Sequence, residues 1–77
     1  MSKHKYALTI TNGRVKVYID GLVMVSFNQI EFLGYYAFKD DAYLYGIDIY
    51  LKDTTIETSY KTKEVWMGVL KLLDSEL

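Results

Sequence analysis

Polar and apolar residues alternate through most of the first sixty positions, the period of half-buried strands. Tyr6, Leu8 and Ile10 alternate with Ala7 and Thr9, and Val15, Val17 and Ile19 alternate with Lys16, Tyr18 and Asp20. Asn12-Gly13 stands between these runs and Asp20-Gly21 follows the second. Both dipeptides favour two-residue type I′ turns, because both residues tolerate positive φ. Leu22 to Phe27 continues as a third, β-branched run. Three strands joined by two tight turns predict an antiparallel meander.

The middle of the chain carries two overlapping signals. Ile30, Phe32, Tyr36 and Phe38 share one parity, with Glu31, Leu33, Tyr35 and Ala37 on the other. Gly34 within this run predicts a bulge or bend, and Gln29–Phe38 reads either as strand throughout or as strand with a short helical turn. Lys39-Asp40-Asp41 reads as a loop. A long strand is predicted from Tyr43 to Leu51, a turn at Lys52-Asp53-Thr54, and a last strand over Thr55 to Tyr60. The period then changes. Val65, Trp66, Val69, Leu70, Leu73 and Leu77 recur at three- and four-residue spacings, which makes one apolar helical stripe. Thr62 is the expected N-cap, with Glu64 near the positive end of the helix dipole.

The predicted fold class is therefore α+β. A curved antiparallel sheet of five or six strands, lying within about 5–60, carries one C-terminal helix over about 62–76. Residues 1–77 form a single domain, since there is no proline and no Gly/Ser-rich linker.

Size changes the picture. A 9.0 kDa chain buries only about 60% of the surface it exposes when unfolded, and at that size apolar burial barely exceeds ordering entropy. Disulfides are excluded, because there is no cysteine. Self-association, most simply as a two-fold homodimer through a strand edge or a tyrosine-bearing face, is the expected compensation. Nine basic against 10 acidic residues give no general attraction to nucleic acid or to an anionic membrane. The basic start, Ser2-Lys3-His4-Lys5, leads into alternating residues, so no signal peptide and a cytoplasmic location are expected. No stretch is long and apolar enough to span a bilayer.

Catalytic constellations are missing. His4 is the single histidine, and the five glycines never fall into a phosphate-binding spacing. The chain reads as non-enzymatic, with no catalytic residue, metal site or cofactor. Asp40, Asp41, Asp48 and Asp53 could supply oxygen ligands to a hard cation, but they lack a calcium-loop spacing and read as loop acids plus one solvent-facing strand aspartate.

Eight tyrosines are the unusual feature. Tyr18, Tyr35, Tyr36, Tyr43 and Tyr50 form the candidate interaction surface, since tyrosine gives large contact area at low entropic cost. Tyr50 and Leu44 share one parity of the long strand, opposite Tyr45, Ile47 and Ile49. A strand apolar on both faces is either sandwiched or carries an interface. The leading functional expectation is a protein-binding accessory or regulatory factor, its partner another protein or a second copy. The alternative is a single-stranded nucleic-acid-binding module that stacks bases on strand tyrosines, with Lys3, Lys5, Arg14 and Lys16 following the phosphates. The charge balance disfavours it.

The stretch Tyr60-Lys61-Thr62-Lys63-Glu64-Val65-Trp66, followed by Leu70 and Leu73, resembles the end of a pleckstrin-homology-like domain. There a strand pair leads into one C-terminal helix whose tryptophan caps the sheet. The likeness covers Tyr43 to Leu77, under half the chain. That fold normally has seven strands, and no basic inositol-phosphate loop is recognisable here, so the resemblance implies a capped sheet and no ligand site. In size and character the chain also resembles small proteins of phages and mobile elements of low-GC bacteria, many of which inhibit or redirect a host protein.

Overall fold

Asn12 and Asp20 both adopt φ of 53°, followed by Gly13 at 79° and Gly21 at 82°. Two consecutive positive φ values make each turn type I′, whose twist matches that of the strands it joins. The computed structural model describes residues 3–42 and 44–77. The two turns connect β1 (Tyr6–Thr11), β2 (Arg14–Ile19) and β3 (Leu22–Asn28) into one antiparallel sheet in the order β1-β2-β3. Asn28 then caps a single 3₁₀ turn, Gln29–Glu31, by accepting a hydrogen bond from the Ile30 amide at 3.0 Å. This turn settles the middle segment as helical turn followed by strand, and it carries the chain away from the first sheet.

A second antiparallel sheet follows, made of β4 (Phe32–Lys39), β5 (Tyr45–Leu51) and β6 (Thr55–Tyr60) in the order β4-β5-β6. Six strands are present, the upper of the expected five or six, and they divide into two three-stranded sheets instead of one. The long strand begins at Tyr45, and Tyr43 lies outside the described residues. In β4 the register shifts between Phe32 and Gly34, with Phe32 opposite Leu51 and Gly34 opposite Tyr50. Leu33 is the extra residue of this bulge. The expected parity is corrected accordingly: Phe32 faces the interior with Tyr35 and Ala37, and Tyr36 and Phe38 face outward. A second bulge, which the alternation does not announce, places Met24 as the extra residue of β3, since Val17 pairs with Val25 and Tyr18 with Val23.

The inner faces of both sheets share one core. Val15, Val17, Ile19, Val25 and Phe27 from the first sheet are buried with Ile47, Ile49 and Tyr60 from the second. Phe27 stacks on Phe32 with ring centroids 5.4 Å apart, joining the sheets across the core. The helix α1 (Lys63–Glu76) closes it with Val69 and Leu73 and packs against β1, β5 and β6. Thr62 caps it as predicted, accepting from the Val65 amide at 3.2 Å. Trp66 leans on Tyr45 at 5.3 Å and donates its indole N–H to the Gly46 carbonyl at 2.9 Å. A half-buried indole with its one donor satisfied costs nothing in lost hydrogen bonding. No described helix is long and apolar enough to cross a membrane.

Candidate protein-binding faces

Residues directly opposite one another on adjacent strands share a face, so the register writes out what each sheet presents to solvent. On the first sheet the outward rows are Ala7-Tyr18-Val23, Thr9-Lys16-Ser26 and Thr11-Arg14-Asn28. On the second they are Phe38-Gly46-Ser59, Tyr36-Asp48-Glu57 and Gly34-Tyr50-Thr55. The first face holds two cations and no acid. The second holds two acids and no cation. Because α1 closes the core side, neither face is covered by it.

The second face is the more apolar. Tyr36 is 59% exposed and stacks against Phe38, the ring centroids 6.2 Å apart. The Phe38 ring lies over buried Gly46, where a Cβ would collide with it. Tyr50 is exposed on the far side of the acidic row, and Leu44 is exposed beside the start of β5. At the centre, Asp48 and Glu57 are direct cross-strand neighbours. Like charges in that position destabilise a sheet by about 0.2–1 kcal/mol. Among the described residues, no lysine or arginine comes within ion-pairing distance of either carboxylate. The aromatic rings therefore flank an unneutralised acidic centre.

The candidate tyrosines do not form one surface. Tyr36 and Tyr50 share the second outer face, and Tyr18 stands half-buried on the first. Tyr35 lies opposite Ile49 and packs against the core. Tyr43 lies outside the described residues. Tyr35 and Tyr36, as consecutive strand residues, have to point to opposite faces. Phe38 and Glu57 belong to the face but carry no signal alone. Glu57 becomes visible only once β6 is laid beside β5 with Thr55 opposite Tyr50.

Of the loop acids, Asp40 has local structural partners. The Asp40 carboxylate accepts from the Ala42 and Leu44 amides at 2.9 and 3.0 Å, which ties the loop before β5. Among the described residues, no three acidic or histidine side chains gather where a metal could be held. His4, the single histidine, meets the Asp20 carboxylate at 2.6 Å through Nδ1. Asp20 also accepts from the Lys5 amide at 2.9 Å. The hydrogen bond to Asp20 raises the His4 pKa, and the same bond lowers that of Asp20. This pair forms one wall of a groove of about 670 Å³, whose apolar lining includes Ile19, Leu22, Met24, Tyr60 and Val65.

Sheet edges are less inviting than the faces. β3 and β4 are edge strands, and each carries a bulge with an exposed apolar residue, Met24 and Leu33. Bulges twist an edge and interrupt its ladder, which opposes pairing with another strand. β1 and β6, the other edges, pack against α1.

No protein-family model matches the chain, and neither a curated protein nor a solved structure matches it significantly.

Proposed function

We propose that this protein is a non-enzymatic protein-binding accessory factor, and that it docks through the outer face of the second sheet. The observation that carries this reading is the uncovered aromatic-acidic face: exposed Tyr36 and Tyr50 and half-buried Phe38, arranged around Asp48 and Glu57. Aromatic residues with large contact area dominate protein interfaces. The bulged edges make strand addition the less favoured mode.

The alternative, a single-stranded nucleic-acid platform, needs aromatic rings and cations on one surface. Here Tyr36 and Tyr50 accompany acids, and Arg14 and Lys16 have only Tyr18. That separation favours a protein partner.

The test is affinity capture from lysate of the source cells, using the wild type and the Tyr36→Ser/Tyr50→Ser double variant as bait. The captured protein is then purified and titrated against both. Loss of two hot-spot tyrosines should weaken binding by about 2–4 kcal/mol, or about 30-fold or more. Equal affinity for both baits would remove this face from the reading.

A further inference from the structure

We propose that a second copy of this chain occupies the acidic face, placing the basic outer face of its own first sheet against it, head to tail. This rests on the reading of the second sheet's outer face as the docking surface and names what docks there.

The argument begins with charge. Among the described strand residues, Arg14 and Lys16 are the only charged ones on one outward face, and Asp48 and Glu57 the only ones on the other. Both sets sit on strands whose inner faces share the same core, so each face is turned away from that core. A two-fold dimer through either face alone sets that face against its own copy. It would set Asp48 and Glu57 against their own copies, or Arg14 and Lys16 against theirs, and such juxtaposition costs several kcal/mol. The head-to-tail arrangement is the face-to-face pairing that neutralises both. It also offsets the cross-strand repulsion between Asp48 and Glu57, which the isolated molecule leaves in place.

Area agrees with this. Three strands about 4.8 Å apart and about 20 Å long present a footprint near 300 Å², with about twice that in accessible surface. Two such faces in contact bury about 1,200 Å², the lower end of the range for specific interfaces. The contact should therefore be reversible and salt-sensitive. A heterologous contact leaves one basic and one acidic face unpaired after two copies, so association continues with concentration.

The experiment uses the full chain in three forms: wild type, Arg14→Gln/Lys16→Gln, and Asp48→Asn/Glu57→Gln. Solution mass is followed by analytical ultracentrifugation from low micromolar to millimolar protein, at low and high salt. Circular dichroism checks that each variant is folded. At low salt the wild type should grow past the dimer as concentration rises, and high salt should return it to monomer. Each variant alone should associate at least tenfold more weakly. Mixed together, the two variants should form a one-to-one complex and nothing larger, because each retains one competent face. A wild type that stays monomeric throughout, a dimer that stops at two copies, or a mixture that gives no complex would each overturn the head-to-tail assembly. None of these would touch the docking reading, which stands or falls on the Tyr36/Tyr50 comparison.

Discussion

The two three-stranded sheets have the same topology and are closed by different means. β1–β3 are joined by two-residue turns at Asn12-Gly13 and Asp20-Gly21, whose backbone angles are written into local sequence. β4–β6 are joined by longer segments and are held from outside. From the helix, the Trp66 indole bonds the Gly46 carbonyl at 2.9 Å. One half is a local structure that could form early. The other leans on the helix beside it, since its longer connections, even with Asp40 tying one of them, fix strand register less tightly than two-residue turns. The same difference reaches the surface: the locally specified sheet shows a polar, basic face, and the tertiary-supported sheet shows the aromatic one.

The sharpest way to break this comparison is to remove the external support. Trp66→Ala should destabilise the protein by about 3 kcal/mol, from lost burial against Tyr45 and loss of the indole bond to the Gly46 carbonyl. Native-state hydrogen exchange should show the loss concentrated in β5 and β6, with β1–β3 amides keeping more protection. Uniform loss across both sheets would mean that they open as one unit and that the contrast ends at the turns.

A smaller effect tests the other half. Gly13→Ala places a Cβ at φ of 79°, which costs about 1–2 kcal/mol for an L-residue. In a domain of this size that lowers Tm by about 4–8 °C per kcal/mol. The open space around Gly13 leaves backbone strain as the whole cause. A thermal melt of this variant therefore measures the turn alone, and an unchanged Tm would mean that β1 and β2 are registered by their core residues instead.

This division also explains what could be read from the residues. Both type I′ turns and the Thr62 cap are local signals, and each appears where residue chemistry places it. The split into two sheets is not local. It depends on the 3₁₀ turn capped by Asn28, which leads β4 away from β3. The two bulges are the second obstacle. Leu33 reverses the facing of everything before it in β4, and Met24 does the same in β3 with no glycine to mark it. The candidate surface suffered in proportion. Tyr36 and Tyr50 are strand residues on the outward parity, whereas Tyr35 turns inward. The pairing of Asp48 with Glu57, and the opposite charge of the two faces, follow only from cross-strand register.

The finest test concerns one end of the first sheet, where His4 and Asp20 fasten the start of β1 to the second turn. The His4 pKa is raised from its usual 6.5, chiefly by the bond to Asp20, so its contribution is complete below 6.5 and disappears as pH rises through the raised value. The Asp20 pKa is lowered from its usual 3.8, chiefly by the bond to His4, so its contribution is complete above 3.8 and disappears as pH falls through the lowered value. Stability from the pair is therefore greatest between about pH 4 and 6.5. Both groups face solvent, so the effect is small and screened by salt. The difference in Tm between wild type and His4→Gln should be largest near pH 5 to 6 and should shrink by pH 8 to 9. NMR titration of His4 should give a pKa above 6.5, falling back toward that value in Asp20→Asn. A Tm difference flat across this range would mean that the ion pair does not hold the first strand, leaving the Asn12-Gly13 and Asp20-Gly21 backbones to register the sheet unaided.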